Sequence, residues 1–336
     1  MGSLRLDVST ATLRLTHPFR ISGYLFESFD TVRVTLSDGQ HSGRAEGGGV
    51  YYLGDDTQHM LAALEAGRPA IESGISREEL RFAMPAGGAR NAVDCALWDL
   101  EAARSGVPVW RLAGKQAPHP LRTTFTLGAE TPDIMAQRAL SYAQARAIKI
   151  KLTGELELDL ARVRAIRTAR PDVWLGVDGN QGFARADLDA LVAGLVEQRV
   201  ALLEQPLKRG SEAELDGYQS PIAIAGDESI LTLEDVPSAV GRFDVVNIKL
   251  DKCGGLTEGL MMAAAARKLG LGVMVGNMGG SSLAMAPSFV LGQECDIVDL
   301  DGPTFLANDF TPGVDYTGGD VWAGPAIWGA RQQELA

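Results

Sequence analysis

Three carboxylates follow three successive apolar runs in the middle of the chain. Asp178 ends WLGVD, Glu204 ends ALLE and Asp227 follows IAIAG. If these runs are neighbouring parallel strands, the three side chains meet at one edge, where they would repel one another unless a cation lay among them. Oxygen ligands with no nearby histidine or cysteine favour a hard ion. The sequence therefore predicts a Mg²⁺ site, with Mn²⁺ as the alternative.

Lysines flank these carboxylates along the chain. Lys149 and Lys151 are two residues apart in AIKIKL, so on a strand both face the same side, which we expect to be a barrel interior. Burial and the neighbouring like charge would lower the lysine pKa and prepare one lysine as a neutral base. Lys249 ends a run four strands further on, across an eight-stranded barrel from Lys151. Two such bases suit the removal and return of a proton α to a carboxylate through a metal-stabilised enolate, with Lys149 in support.

The elements that would position these residues alternate between strand and helix. Such alternation predicts an α/β fold, a parallel TIM-type (β/α) barrel, modified and with about eight strands, over residues 113–303. The β-branched runs are 121–129, 147–152, 174–180, 201–207, 222–229, 244–250, 272–278 and 296–303.

The segment before the barrel follows a different pattern. Alternating residues within 1–50 predict antiparallel strands, and helical spacing follows over about 57–105. We therefore predict an α+β capping domain over residues 1–112. Residues 304–336 show no strand pattern, and we expect them to pack back on this domain and complete it.

Composition narrows the class of protein. Apolar residues make up 46% and charged residues 22%, as in a soluble globular enzyme. The net charge of −12 argues against partners such as nucleic acid or an anionic membrane. The chain has no membrane-spanning apolar run and no signal-peptide pattern, and its three scattered cysteines form no disulfide framework. These features predict a cytoplasmic protein.

Five motifs in order along the barrel, KIK, VDGNQ, EQP, GDES and NIKLDKCGG, follow the helix ARNAVDCALWDLEAARSG. Together they resemble the enolase superfamily in its muconate-lactonising-enzyme-like subgroup, over nearly the whole chain. The resemblance implies that Lys151 and Lys249 are the acid/base pair. It also implies that the three carboxylates bind Mg²⁺, that the capping domain chooses the substrate and that the protein is a homo-oligomer. No histidine lies at the strand ends, unlike the mandelate-racemase branch, which uses a His–Asp pair as one base.

The last run, VDLDGP, carries Asp299 and Asp301 two residues apart. This pair resembles the dipeptide epimerases, in which it receives the free α-ammonium of the substrate. Two carboxylates on one side of a strand can clamp a cation. The resemblance therefore implies that the small-molecule substrate is a dipeptide. It also implies that the dipeptide is epimerised at the α-carbon of its C-terminal residue in a Mg²⁺-dependent reaction.

The N-terminal segment departs from the dipeptide epimerases that act on Ala-Glu. Those proteins carry an arginine a few residues after Pro-Phe, where this chain has Gly23 or Tyr24 and places Arg20 too early. We expect Tyr24 and Tyr51 of the capping domain, and Asn277 at the end of the seventh run, to contact the substrate. Aromatic side chains over a pocket favour a hydrophobic or cationic dipeptide over an acidic one.

Other reactions would use the same lysines and metal. These are N-acyl amino acid racemisation and β-elimination by a dehydratase, including chemistry like that of o-succinylbenzoate synthase. Asp299 and Asp301 discriminate between them, because a substrate with an acylated nitrogen, or with none, gives the two carboxylates nothing to bind. A non-catalytic binding barrel is a third alternative, and the intact lysines and acids argue against it.

Overall fold

A three-stranded antiparallel sheet opens the chain in the computed structural model, which describes residues 3–329. Its strands are β1 (Arg5–Ile21), β2 (Tyr24–Ser37) and β3 (Ser42–Gly48). Val32, Val34 and Leu36 of β2 alternate with more exposed residues and are fully buried. Strand β3 pairs with residues 31–37 of β2 only, so the tip of the β1–β2 hairpin extends beyond the sheet.

Helices pack against this sheet. They are α1 (Thr57–Glu72), α2 (Arg77–Ala83), α3 (Gly88–Ser105) and α4 (Val109–Leu112). Asp56 and Ser76 cap the first two helices by accepting hydrogen bonds from backbone N–H groups. Helix α3 contacts β2 and β3 and also contacts barrel helices. Strands β1–β3 with helices α1–α3 are called the cap below.

Eight parallel strands follow in one sheet, paired in sequence order. They are β5 (Phe125–Leu127), β6 (Ala147–Lys151), β7 (Trp174–Asp178), β8 (Leu202–Glu204), β9 (Ala223–Gly226), β10 (Val245–Ile248), β11 (Gly272–Val275) and β12 (Ile297–Val298). Each lies within a predicted run, and the predicted eight-stranded α/β barrel is confirmed. The first and last strands meet where Thr124 N donates to Val298 O at 3.0 Å.

The connections differ from strict alternation of strand and helix. The helices are α5 (Pro132–Ser141), α6 (Leu156–Ala169), α7 (Arg185–Glu197), α8 (Leu250–Cys253), α9 (Leu256–Lys268) and α10 (Ser282–Gly292). Strands β8 and β9 are followed instead by short 3₁₀ segments, Glu212–Leu215 and Leu233–Ala239. Pro237 lies inside the second segment and lacks the N–H that a longer helix needs. No helix of residues 3–329 is long and apolar enough to cross a membrane.

The C-terminal segment contains a short strand that the sequence did not predict. Strand β13 (Asp320–Val321) pairs antiparallel with β4 (Leu121–Arg122), just before the barrel. Two residues are too few to show a periodic pattern, which is why sequence analysis missed this pairing. Further on, Gly329 N donates to Asp99 Oδ1 of α3 at 2.8 Å.

Candidate active site

The parallel register gathers the predicted residues at one rim of the barrel. Lys151 lies beside Asp178, and Asp178 lies beside Glu204, on neighbouring strands. Asp227 directly follows β9 and Lys249 directly follows β10. Because parallel strands end at the same rim, all five side chains meet at the carboxyl end of the barrel.

The three predicted metal ligands form a compact buried cluster. Asp178, Glu204 and Asp227 are at most 1% exposed, and each offers an oxygen within 4.8 Å of the others. Asn180 N donates to Asp178 Oδ1 at 2.9 Å and Asn247 Nδ2 donates to Glu204 Oε1 at 2.7 Å. These bonds help to fix the orientation of the carboxylates. The donor set therefore fits a hard ion such as Mg²⁺.

Lys149 lies among the acids. Its Nζ is 2.7 Å from Glu204 Oε2, 2.8 Å from Asp299 Oδ2 and 3.2 Å from Asp178 Oδ2. Burial alone would lower the pKa of Lys149, but these carboxylates outweigh burial and raise the pKa well above its usual value. Lys149 thus links the cluster of three acids to the end of the eighth barrel strand.

Lys151 and Lys249 enter from strands that are four apart, with the three carboxylates between them. Lys151 Nζ donates to Asp178 Oδ2 and Lys249 Nζ donates to Asp227 Oδ2, both at 2.6 Å. Burial lowers the pKa of Lys249, but nearby carboxylates, Asp227 foremost, raise it above its usual value. The lowering of the pKa that was expected within the pair Lys149 and Lys151 is therefore wrong for Lys149, because it counted burial and like charge but not the contacting acids.

Asp299 and Asp301 both reach the same rim from the end of the last barrel strand. Asp299 accepts hydrogen bonds from Thr124 Oγ1 at 2.5 Å and from Lys149 Nζ at 2.8 Å. Asp301 Oδ2 accepts from Thr126 N at 2.5 Å. Burial, followed by the charge of Asp299, raises the pKa of Asp301 to about 7. A cation bound beside this pair would be stabilised, and it would favour the ionised form of Asp301.

A pocket lies over the rim. Lys151, Lys249, Asp299 and Asp301 form its polar floor. Five rings form what is called the aromatic wall below: Phe19, Phe26, Phe29, Tyr51 and Phe305. The rings pack on one another, with centroids 4.9 Å apart for Phe19–Phe305 and 5.2 Å apart for Phe26–Tyr51.

The predicted substrate contacts differ in where they lie. Tyr51 and Asn277 line the pocket. Asn277 also supports the rim, since its Nδ2 donates to Asp299 O at 2.8 Å. Tyr24 is not among the described residues that line the pocket; it is 44% exposed and packs against Tyr51, with ring centroids 4.6 Å apart.

Sequence reasoning missed four phenylalanines and one acid. Phe19 pairs with Phe26 across the β1–β2 hairpin, so the hairpin register was the signal that could have found them. Phe305 lies after the last barrel strand, where no pattern singled it out. Glu228, in the GDES motif, is buried, and burial followed by the charge of Asp227 raises its pKa to about 8.

Family models match both parts of the chain. Residues 10–114 match the mandelate racemase / muconate lactonizing enzyme N-terminal domain, and residues 134–320 match the enolase C-terminal domain-like model. The chain therefore belongs to the mandelate racemase/muconate lactonizing enzyme family of the enolase superfamily, as its motifs predicted.

Comparison with individual relatives indicates the class of enzyme to which the chain belongs. The chain is 40% identical over 268 residues to the L-Ala-D/L-Glu epimerase of Escherichia coli (strain K12), covering 80% of this chain and 84% of that protein. An Agrobacterium tumefaciens enolase family member with bound sodium and L-Ala-L-Glu is 38% identical (TM-score 0.92; 97% and 100% covered). A dipeptide epimerase of Enterococcus faecalis V583, complexed with Mg and L-Leu-L-Tyr, is 28% identical (TM-score 0.90; 96% and 98% covered). The chain is an isomerase of the racemase and epimerase class.

Proposed function

We propose that this enzyme epimerises dipeptides at the α-carbon of the C-terminal residue, with Mg²⁺ as cofactor. One observation carries the proposal: Lys151 and Lys249 line a single pocket from strands on opposite sides of the barrel. The metal-binding carboxylates lie on the strands between them. A substrate carboxylate held near those acids would present its α-carbon to both lysines.

The two lysines supply a complete path for the proton. One lysine, in its neutral form, takes the α-proton, and the electron pair of the broken C–H bond moves into the adjoining carboxylate group. The other lysine, as an ammonium, gives a proton to the opposite face of the same carbon, which inverts its configuration. Proton exchange with solvent then returns the pair to its starting state. Asp178 and Asp227 orient the two Nζ atoms through their 2.6 Å hydrogen bonds.

Asp178, Glu204 and Asp227 would hold the Mg²⁺ ion. When bound, the ion supplies positive charge beside the substrate carboxylate, where negative charge develops as the α-proton leaves. The magnesium in the E. faecalis relative supports this assignment.

Asp299 and Asp301 favour a dipeptide over the alternative substrates. Both carboxylates line the pocket, and Asp301 accepts one backbone hydrogen bond and contacts no lysine among the described residues. A free α-ammonium would pair with them, whereas an N-acyl amino acid or an amine-free acid would leave Asp301 buried without a cation. Racemisation of N-acyl amino acids and β-elimination are therefore the second candidates.

The aromatic wall favours a hydrophobic side chain on the substrate. Among residues 3–329, no arginine or histidine lines the pocket, and both lysines there already bond to acids. A substrate side-chain carboxylate would thus be desolvated against rings with no cation to pair with. A cationic side chain is the second choice, because ring faces attract cations. We assign this selection to residues 1–112, joined by Phe305 of the C-terminal segment, and proton transfer to residues 113–303.

Deuterium incorporation tests the proposal. Dipeptides pooled by their second residue (acidic, aliphatic, aromatic or basic) are incubated with enzyme and Mg²⁺ in D₂O and followed by mass spectrometry. We expect the aliphatic and aromatic pools to gain deuterium as they convert to the epimer, and an EDTA-treated sample to gain none. Label confined to the acidic pool would contradict the side-chain assignment. No label in any pool would contradict dipeptide epimerisation, and N-succinyl amino acids would then be tested.

A further inference from the structure

The backbone turn that carries Lys249 is short and tightly folded. Lys249 is the residue before α8, and its carbonyl oxygen accepts hydrogen bonds from Lys252 N at 3.0 Å and Cys253 N at 3.1 Å. Any shift of this turn therefore moves the backbone from which the Lys249 side chain extends. Residues 249–255 are called the lysine turn below.

Asp251 fastens the lysine turn to the cap at two points. Its Oδ1 accepts from Asn91 Nδ2 of α3 at 2.7 Å and from Gly48 N, at the end of β3, at 2.9 Å. Gly48 lies three residues before Tyr51, which belongs to the aromatic wall. One buried carboxylate oxygen thus joins the backbone beside Lys249 to the loop that carries Tyr51.

The rest of the lysine turn leaves little room for movement. Arg90 Nη2 donates to Cys253 O at 2.5 Å. A Cβ on Gly254 would lie 2.1 Å from Arg90 Nε, and a Cβ on Gly255 would lie 2.4 Å from Asp94 Oδ2, so α3 approaches as closely as glycine allows. Both glycines also have positive φ.

The metal cluster holds the turn from the other side. Lys252 Nζ donates to Asp227 Oδ1 at 2.6 Å and to Asn247 O at 3.0 Å. The lysine turn therefore bonds to the barrel strands on one side and to the cap on the other. Among the residues of the turn that bond to the cap, Asp251 is the one nearest to Lys249 in the chain.

We propose that Asp251 is a positioning residue that sets Lys249 against its face of the substrate and couples it to the cap loop that carries Tyr51. This inference rests on the proposed two-lysine epimerisation. It assigns Asp251 no contact with substrate, and it requires the Oδ1 acceptor rather than the negative charge. Burial raises the pKa of Asp251 to about 7 despite its two donors, which is consistent with a role as an uncharged acceptor.

Exchange of the substrate α-proton with solvent, measured in substrate that has not yet inverted, reports on each of the two lysines separately. In D₂O, a lysine that removes the α-proton can return a deuteron to the same face, so each epimer acquires label through the lysine that faces its proton. Lys249→Met removes one of these routes and so identifies which epimer depends on Lys249. A general loss of folding or activity would slow both routes equally.

The test compares Asp251→Ala with Asp251→Asn, using separate L,L and L,D dipeptides and NMR detection of label in unconverted substrate. We expect Asp251→Ala to slow label entry into the Lys249-dependent epimer about tenfold more than into the other, since small displacements of a catalytic group have effects of this order. Asp251→Asn, which keeps the Oδ1 acceptor, should restore the wild-type ratio. An equal loss for both epimers, or no loss, would overturn the inference.

Asn91→Ala repeats the test if Asp251→Ala does not fold. It removes one of the two donors and keeps the bond from Gly48, so the same epimer should again be slowed selectively. An unchanged ratio in a folded Asn91→Ala protein would overturn the inference. Wild-type enzyme that labels neither epimer would instead overturn the proposed function, and this inference with it, so the two failures are distinguishable.

Discussion

The proton-transfer rim and the aromatic wall are held by different kinds of interaction. In the rim, each of the three acids proposed to bind the metal contacts at least one lysine, at 2.6 to 3.2 Å. In the wall, rings from a hairpin tip and a loop pack at centroid distances of about 5 Å, without charged partners. The contacts of the rim therefore require particular charged residues, whereas the contacts of the wall depend on how the shapes of the rings fit together. Mutations in the rim should therefore change the rate of epimerisation, whereas mutations in the wall should change which substrate side chains are accepted.

Removing either lysine should have the largest effect on the rim. Lys151→Met or Lys249→Met should lower the rate of epimerisation by about 10²–10⁴-fold, because one face of the α-carbon loses its acid or base. Each variant should still label one epimer in D₂O, and the two variants should label opposite epimers. Loss of label from both epimers in both variants would contradict independent roles for the two lysines.

Disturbing the support of a metal ligand should have the next largest effect. Asn247→Leu removes the 2.7 Å hydrogen bond to Glu204 and should weaken Mg²⁺ binding about 10–100-fold, measured by calorimetry. Asn308→Leu, a change outside the rim, provides the comparison protein. Unaltered Mg²⁺ affinity in Asn247→Leu would show that Glu204 needs no support from this side chain.

The aromatic wall should change specificity while leaving the rim intact. Phe26→Ala should raise KM for a hydrophobic dipeptide about tenfold, which corresponds to about 1.4 kcal/mol of lost contact, and should change kcat less. Phe82→Ala, which alters a side chain that is 85% exposed on α2, is the matched control. A fall in kcat with unchanged KM would indicate that the wall positions the reacting carbon instead.

Asp251, which joins the lysine turn to the cap, should make the stability of the protein depend on pH. Burial raises the pKa of Asp251 from 3.8 to about 7, so the folded state binds more protons than the unfolded state between these values. The contribution of Asp251 to the free energy of unfolding should therefore fall as pH rises from about 4 to about 7. Asp251→Asn should flatten this slope in urea titrations, whereas the exposed control Glu197→Gln should not. Equal slopes in all three proteins would contradict this assignment.

Sequence could predict the rim because parallel strands place their ends together. Asp178, Glu204 and Asp227 each follow an apolar run, and strand pairing then requires them to meet. Lys151 and Lys249 follow from the same count of strands around a barrel. The sequence did not predict the charges that surround these lysines, because the acid contacts that raise the pKa of Lys249 depend on side-chain conformation.

Sequence could not predict most of the wall for a physical reason. Phe19 and Phe26 reach the pocket only because the hairpin tip extends beyond β3 and lies over the barrel, a tertiary contact that leaves no periodic signal. Tyr24 was a reasonable expectation from the same hairpin. Tyr24 and Phe26 are two residues apart and share a face of β2, with ring centroids 6.1 Å apart, yet only Phe26 of the two lines the pocket, so strand alternation could not exclude Tyr24.

The most direct measurement of the central claim compares kcat/KM for L-Leu-L-Tyr and L-Ala-L-Glu with the Mg²⁺-loaded enzyme, following epimerisation by optical rotation or NMR. When turnover takes place in D₂O, the pocket predicts inversion at the α-carbon of the C-terminal residue with uptake of solvent deuterium, and the larger kcat/KM for L-Leu-L-Tyr. A larger value for L-Ala-L-Glu would contradict the role given to the aromatic wall. Inversion without uptake of solvent deuterium in any turnover would contradict proton transfer by two solvent-exchanging lysines.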